Sequence, residues 1–405
     1  MELWRKNLSI LWGTQFLAMM GMNLVVPFLP FFIRQLGVTD PSELARWSGL
    51  VFSGPFILSF FVTPLWGNLG DRYGQKIMVV RAIFGLALSQ FLMGFSQNVY
   101  QLFFFRIVQG AISGFIASAL ALVSTNTPKE KIGYALGVLQ SSTAGGMLLG
   151  PFIGGILADL LGYRQIFFVT AALCFAGGIV VAFSVKEVAR GSEGAGRFRV
   201  SDNFLLMASD RRLRIVGLTL VVSQMSVLMI EPIFALFVES FRTGTKYLST
   251  VAGGIFSITG LFMVISAPWW GKRNDRTGHK NNLYKALAVF GFVYAGHIIV
   301  QNLVQLAFLR AFVGFAGGGV LPALYSLTNL YSPAERRGGM MGVASSLTVL
   351  GNMLGPAMGG VIAGHFGFTV SFLSTSCLLL GTSYLIWKYL QEDTRTQPKA
   401  QPGYD

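Results

Sequence analysis

The chain contains the polar stretch Gly67-Asn68-Leu69-Gly70-Asp71-Arg72-Tyr73-Gly74-Gln75-Lys76, which follows a tryptophan and separates two long apolar runs. A second stretch, Gly271-Lys272-Arg273-Asn274-Asp275-Arg276-Thr277-Gly278-His279-Lys280, also follows a tryptophan between two apolar runs. Asp275 lies 204 residues after Asp71. A fixed interval between similar stretches is the signature of an internal repeat. We therefore interpret the chain as a duplicated unit.

The composition indicates a membrane protein. Charged residues make up 12% of the chain and hydrophobic residues 53%, with a mean hydropathy of +0.59, whereas soluble domains carry about 25% charged residues. The net charge of +14 arises from basic residues in short loops between apolar runs. This distribution is typical of the positive-inside rule and argues against a nucleic-acid partner.

Twelve apolar segments are each about 20 residues long, enough to cross a hydrocarbon core of about 30 Å. They cover residues 8–36, 46–69, 77–96, 99–122, 134–158, 165–185, 213–240, 246–270, 282–300, 303–327, 339–363 and 368–389. The pattern predicts an all-α integral membrane protein with twelve transmembrane helices.

The domain organisation follows from these segments. We predict an N-terminal half at 1–186, a cytoplasmic linker at 187–212, a C-terminal half at 213–390 and a disordered cytoplasmic tail at 391–405. With the N-terminus in the cytoplasm, 24 of the 31 Lys and Arg residues lie in cytoplasmic loops or at cytoplasmic span ends, 5 lie at the outside and 2 lie deep within spans. This imbalance predicts a multi-pass protein of the plasma (cytoplasmic or inner) membrane with both termini cytoplasmic. We expect no cleavable signal peptide.

The first polar stretch resembles a family signature. Its matching residues are Gly67, Asp71, Arg72, Gly74 and Lys76. They are similar to the cytoplasmic loop 2-3 motif of the major facilitator superfamily, and the chain resembles more closely its twelve-helix drug:proton antiporter branch. The resemblance implies two pseudo-symmetric six-helix bundles and a gating loop that latches their cytoplasmic ends. In the second copy Asp275 and Arg276 match, but Lys272 and Arg273 replace small residues. The alternative is a loop that only sets topology.

A glycine-rich string in the fifth span carries a second resemblance. Its motif residues are Gly146, Gly150, Pro151, Gly154 and Gly155, and the same spacing recurs at 351–360. The string resembles the antiporter motif, which implies export rather than import. Small residues at four-residue spacing allow helices to approach closely, so helix packing alone is the alternative interpretation.

Two arginines lie deep within predicted spans, several residues from either end. Arg106, in Leu102–Gly110, resembles the superfamily's fourth-helix motif, where the arginine is associated with proton transfer, and Arg310 repeats it 204 residues later. An arginine at mid-membrane costs about 2.5 to 3.5 kcal/mol on insertion scales, so one that is retained usually faces a cavity or a partner. Snorkelling toward a helix end is the alternative for Arg106.

Glu231 is the only one of the 17 acidic residues that lies deep in a span, and it precedes Pro232. A carboxyl group in a medium of low dielectric holds a proton more readily than in water, so Glu231 is our candidate for proton coupling. Related antiporters carry an acid at this position. The alternative is a protonated Glu that binds carbonyls freed by the proline. A single membrane acid favours a low proton count per cycle.

The family's arrangement predicts which residues line a central cavity. The candidates are Asn23, Phe28, Phe32, Phe56, Gln140, Met225, Met229, Phe234, Phe256, Arg310 and Asn352. This mostly apolar and aromatic set suits lipophilic substrates. Core packing or contact with lipid is the alternative for each of them.

Together these features predict a proton-coupled secondary active exporter of lipophilic or cationic small molecules, with multidrug efflux as the leading function. A dedicated exporter of one endogenous metabolite, a sugar, siderophore or lipid, is the alternative. We expect no enzyme activity, because no cluster of His, Asp and Glu at metal-site spacing is present. No cofactor or metal is expected, the proton gradient supplying the energy. The expected partners are the substrate, protons and the lipid bilayer, and we expect a monomer.

Overall fold

The computed structural model describes residues 2–112, 114–187, 200–241 and 247–390, so the predicted tail at 391–405 and residues 188–199 of the predicted linker lie outside the described residues. The N-terminal half contains helices α1 (Leu3–Val25), α2 (Leu29–Gln35), α3 (Pro41–Tyr73), α4 (Gln75–Gly94), α5 (Val99–Ile112), α6 (Phe115–Asn126), α7 (Ile132–Leu161) and α8 (Tyr163–Ser184). The C-terminal part contains α9 (Val200–Ser209), α10 (Arg211–Ile230), α11 (Phe234–Ser240), α12 (Leu248–Thr277), α13 (His279–Gly296), α14 (Leu303–Tyr331) and α15 (Arg337–Tyr389).

Eleven helical segments within the described residues are long and apolar enough to cross a membrane. The chain is therefore a multi-pass membrane protein. The helix α15 spans 53 residues, or about 80 Å at 1.5 Å per residue, and is interrupted at Gly367, whose φ of 80° and ψ of 177° are not helical. Gly162, 205 residues earlier, has a φ of 88° and separates α7 from α8. The expected count of twelve thus differs from eleven at this one break.

Proline breaks the first helix of each half at the same place. Pro27 lies in the 3-10 turn Val26–Phe28 between α1 and α2, and Pro232 lies in the turn Glu231–Ile233 between α10 and α11. Proline lacks the N–H that a continuous helix requires, so each helix changes its hydrogen-bond pattern there. The two breaks stand 205 residues apart, as the repeat predicts.

Side-chain hydrogen bonds recur at the repeat interval. Thr170 Oγ1 donates to the Gly21 carbonyl at 3.1 Å, and Thr375 Oγ1 donates to the Ser226 carbonyl at 3.3 Å. The Trp66 indole likewise donates to the carbonyl of Ala111, and the Trp270 indole to that of Phe315. The two halves of the sequence are therefore two copies of one structural unit.

The glycine string of α7 packs against α1. A Cβ atom on Gly146 would lie 2.7 Å from Met19 Cβ, and one on Gly150 would lie 2.6 Å from Asn23 Cβ. A Cβ on Gly154 would meet the backbone of Leu24. The second copy of the string packs in the same way on α10, where Gly355 and Gly359 contact the backbone of Met225 and Met229. Small residues are needed here because the two backbones approach too closely for a side chain.

The halves contact one another at one end of the bundle. We call it the distal end and define it as the end where α2 and α11 finish and α3 and α12 begin. There Gly155 of α7 packs on the backbone of Ser249 and Thr250 of α12, and Gly360 of α15 packs on Gly49 of α3. We call the opposite end, which carries Leu3 and Tyr389, the terminal end. Two buried apolar clusters with residues at this end each belong to a single half, and the cluster of the C-terminal half consists of Met207, Leu213, Met340 and Val343.

Candidate functional site

Glu231 lies where the two halves meet. It is the first residue of the 3-10 turn Glu231–Ile233, and this turn packs against both the turn Val26–Phe28 and α3 of the other half. Glu231 is partly buried, whereas the following residues Pro232, Ile233 and Phe234 are fully buried. The proline break therefore holds an acidic side chain at the interface between the halves.

Arg310 of α14 supplies the positive charge near Glu231. The side chain is 1% exposed, and its Cζ atom lies 3.5 Å from the centroid of the Phe234 ring. Its Nε and Nη2 atoms have no hydrogen-bond partner. Arg310 interacts electrostatically with Glu231 and with Tyr294, yet forms no ion pair with Glu231 in this conformation. The site therefore contains an acid and a guanidinium that interact electrostatically without forming an ion pair.

Arg106 occupies the equivalent position in the N-terminal half. It is 4% exposed, and its Nη1 donates to Gln109 Oε1 at 3.3 Å, while Nε and Nη2 have no partner. Its Cβ atom would lie 3.0 Å from a Cβ on Gly54 of α3, so the arginine is tightly enclosed. The charge that acts on Glu231 is that of Arg310. A role of Arg106 in proton transfer stays a prediction.

The expected cavity residues fall into three groups by exposure. Phe28, Phe32, Met229, Phe234 and Arg310 are buried, Asn23, Phe56, Met225, Phe256 and Asn352 are partly buried, and Gln140 is exposed. The Phe234 and Phe256 rings pack at 5.9 Å between centroids, and the Phe28 ring lies against Gly253 of α12. Phe234, a member of the Phe234–Phe256 pair, thus lies directly after the turn Glu231–Ile233. Asn352 Oδ1 is buried without a partner, which leaves an acceptor free on α15.

The loop-motif residues lie at the terminal end, between α3 and α4. Gly74 adopts a φ of 98°, and the Gln75 and Lys76 backbone N–H groups donate to the Glu187 carboxylate at 2.7 and 3.0 Å. Arg72 is exposed and lies over the Tyr73 ring, and Arg276 is exposed in the last turn of α12. The side chains of Asp71 and Asp275, and Gly67 as well, lie outside what the structure describes.

Sequence reasoning did not single out Glu187 as a functional residue. Its carboxylate binds the N-terminus of α4, where a helix presents unpaired N–H groups and the positive end of its dipole. A Cβ on Gly74 would lie 2.7 Å from Glu187 Oε2. The glycine of the motif is therefore required by the carboxylate beside it as well as by its own backbone conformation. The one sequence feature that could have pointed to Glu187 is its position as an acidic residue at the end of the sixth apolar segment.

Sequence reasoning also missed the contacts that join the halves at the distal end. Asp159 of α7 accepts from the Thr250 N–H at 2.8 Å, the Thr250 hydroxyl at 2.7 Å and the Ser249 N–H at 3.2 Å, and so binds the N-terminus of α12. Arg46 Nη2 donates to His365 Nε2 at 2.6 Å. These bonds hold the distal end closed in this conformation.

Comparisons with known proteins agree on one family. The family model described as the Major Facilitator Superfamily matches residues 11–304 and 286–404. The multidrug resistance protein MdtG of Salmonella arizonae is 36% identical over 388 residues, which cover 96% of each chain.

Solved structures show the same fold. A bacterial homologue of the human lysosomal transporter Spinster, in an inward-facing and occupied conformation, has a TM-score of 0.80 at 13% identity and covers 96% of this chain and 97% of its own. A D-xylose-proton symporter has a TM-score of 0.79 at 15% identity and covers 96% of this chain and 99% of its own.

Proposed function

The chain belongs to the Major Facilitator Superfamily, and from this membership we propose that it is a proton-coupled exporter of lipophilic or cationic small molecules. The name of its Salmonella relative, a multidrug resistance protein, supports export of several unrelated compounds. We propose that the protein acts as a monomer in the plasma or inner membrane. The observation that carries the proposal is the position of Glu231 at the meeting of the two halves.

We propose twelve crossings in two bundles of six. The break at Gly367 repeats the turn at Gly162, so we divide α15 into two crossing segments at 337–366 and 368–389. An even number of crossings puts both termini on one side, and the excess of Lys and Arg supports the cytoplasmic side. The distal end is then the outer end, and its closure makes this conformation inward-facing.

The proposed cycle uses Glu231 as an exchangeable charge. In the inward-facing state the ionised carboxylate attracts a cationic or polarisable substrate, while the surrounding Phe234 and Phe256 contact its apolar part. Rocking of the two halves moves the site to the outside. There a proton binds the carboxylate and removes its charge, so the substrate is released. The protein with protonated Glu231 returns to the inward-facing state, and the proton leaves Glu231 on the cytoplasmic side.

The position of Arg310 supports such an exchange. A guanidinium stays charged throughout the cycle, and its attraction favours the ionised form of a nearby carboxyl group. Because Arg310 is near Glu231 without being bonded to it, the carboxylate keeps its hydrogen-bonding capacity for a proton or a substrate. A bonded ion pair with Arg310 would oppose both protonation of the carboxylate and its binding to a substrate.

The direct test is dye transport in everted membrane vesicles that contain the overproduced protein. We expect ethidium to accumulate when the vesicle lumen is acidified, and a protonophore to abolish the accumulation. Vesicles without the protein are the control. Accumulation that continues with the protonophore present would exclude proton coupling. A panel of unrelated lipophilic compounds distinguishes multidrug export from a dedicated exporter of one sugar, siderophore or lipid, which would transport none of the panel.

A further inference from the structure

A cluster of buried polar side chains lies beside Glu231 in the C-terminal half. It consists of Tyr294, His297 and Arg310, which are 0%, 1% and 1% exposed. The Tyr294 hydroxyl, His297 Nε2 and Arg310 Nε and Nη2 all have no hydrogen-bond partner. Each buried polar group without a partner lowers the stability of the folded protein. Several buried polar atoms without partners at one place in the fold call for a functional explanation.

Aromatic stacking fixes the orientation of the Tyr294 ring. Its centroid lies 5.3 Å from that of Phe290 and 5.6 Å from that of His297, and His297 in turn stacks on Phe372 at 4.9 Å. His297 Nδ1 lies 2.9 Å from the Val293 carbonyl, so Nδ1 carries the proton and Nε2 is an acceptor. The ring of Tyr294 is thus held rigidly, and only its hydroxyl hydrogen is free to turn.

The chemistry of the three groups differs. Arginine can only donate hydrogen bonds, the neutral His297 Nε2 can only accept, and a tyrosine hydroxyl can do both at once. Tyr294 interacts electrostatically with Arg310 and with Glu231, whereas the charged group that acts on His297 is Arg310. On the α15 side the cluster is covered by the uncharged ring of Phe372. Tyr294 is therefore the member of the cluster suited to connect the guanidinium with the carboxylate.

We propose that Tyr294 is a positioning residue for proton exchange at Glu231. Its hydroxyl accepts a hydrogen bond from Arg310 and donates one to the ionised carboxylate, which stabilises the charged form. When a proton binds Glu231, the hydroxyl turns away and the carboxyl group is released for movement of the helix. This inference rests on the proposed function, because it assumes that Glu231 is the coupling acid.

The repeat provides a matched control. Gln90 of α4 lies 204 residues before Tyr294 and is fully buried, with both amide atoms unpartnered. Arg106 stands at the position of Arg310, but Val26 stands at that of Glu231, so this half has no acid at the turn. A substitution of Gln90 therefore removes a buried polar group in the same structural setting without affecting a carboxylate.

The first experiment is the pH profile of ethidium efflux with purified protein in proteoliposomes. Removing a donor to the charged form makes Glu231 hold its proton to higher pH, so in Tyr294→Phe we expect the midpoint of the profile to rise by about one pH unit. The maximal rate should stay within about twofold of the wild type. Gln90→Leu should leave the midpoint unchanged. An unchanged midpoint in Tyr294→Phe would overturn the proposal.

A second experiment requires no transport. Thermal unfolding is measured at about pH 8.5 for the wild type, Tyr294→Phe, Glu231→Gln and the double variant. We expect Tyr294→Phe to lower the Tm by about 2 °C more in the wild-type background than in the Glu231→Gln background, because the neutral amide that replaces the carboxylate accepts a weaker hydrogen bond from the hydroxyl. If the Tm changes of the two single variants add up in the double variant, Tyr294 and Glu231 do not interact. If the interaction is found but efflux is independent of the proton gradient, the proposed function fails and the contact stands.

Discussion

Arg34 and Glu239 form a two-bond ion pair between the halves, with Nη1–Oε1 and Nη2–Oε2 distances of 2.8 and 2.7 Å. The two residues are 205 positions apart, the interval that also separates Pro27 from Pro232, so they are equivalent positions of the repeat. A contact between equivalent positions lies on the pseudo-twofold axis. Identical charges there would repel, and the pair is possible only because the two copies have diverged.

The first prediction concerns this ion pair. Both side chains are more than a third exposed, and exposed ion pairs contribute little. The pair therefore contributes at most about 1 kcal/mol to closure of the distal end. We expect Glu239→Gln to raise the population of the distal-open state by up to about fivefold. Electron paramagnetic resonance distances between spin labels at the exposed positions 97 and 301 measure this population.

The control for the ion pair uses the equivalence of its positions. The double exchange of Arg34→Glu with Glu239→Arg places the same two charges on the same axis, and we expect it to restore the wild-type distances. A double exchange that opens the distal end as much as Glu239→Gln would show that the pair does not hold the halves together.

The second prediction concerns close contact at Gly155. A Cβ there would lie 2.8 Å from Thr250 Cα and would also meet the Ser249 carbonyl, so Gly155→Ala keeps α7 and α12 apart. We expect transport to fall at least about tenfold, since the distal end no longer closes. Gly137→Ala is the matched control on the same helix, because its Cβ would have no atom within 4 Å. Alanine favours helix at both positions, so equal activity in the two variants would argue against the close contact.

The duplicated architecture was predictable from sequence. Repeat intervals of 204 and 205 residues in the polar and glycine-rich stretches correspond to repeated hydrogen bonds and proline turns in the structure. The sequence segments 339–363 and 368–389 place a break near Gly367, but the structure joins the two sides into α15, because the chain bends there through the backbone conformation of Gly367 alone. A hydropathy pattern contains no information about a backbone φ of 80°, so the conformation of this break was not predictable from it.

The surroundings of Glu231 were only partly predictable. Its depth and the neighbouring Pro232 are properties of one segment, so the sequence identified it as the candidate acid. Which arginine acts on it depends on how helices from distant parts of the chain pack, and the resemblance favoured Arg106 whereas in the structure Glu231 interacts with Arg310. The contacts of Asp159 and of Glu239 join segments from different halves and have no local signal.

The third prediction concerns the terminal end. Glu187 binds the backbone N–H groups of Gln75 and Lys76, which caps α4 and ties the start of the linker to the loop. We expect Glu187→Ala to lower the free energy of unfolding by about 1 kcal/mol, the usual value of a helix cap. Chemical denaturation in detergent measures the change, and Glu187→Gln should recover part of the loss because its amide oxygen still accepts. No difference between Glu187→Ala and the wild type would contradict the capping role.

The last prediction concerns the coupling acid. Glu231→Gln keeps the shape of the side chain but can neither lose nor gain a proton, so we expect gradient-driven ethidium uptake in everted vesicles to fall by about two orders of magnitude. Protein yield should stay close to wild type and the Tm within about 3 °C of it, because Glu231 has no hydrogen bond or ion pair that the structure describes in this conformation. Glu335→Gln, an exposed acid in the turn Ala334–Arg336, is the matched control and should transport normally. Normal uptake by Glu231→Gln would assign the coupling to another group. Because the other acids lie in loops, tails or at span ends, protons would then be exchanged away from the turn Glu231–Ile233.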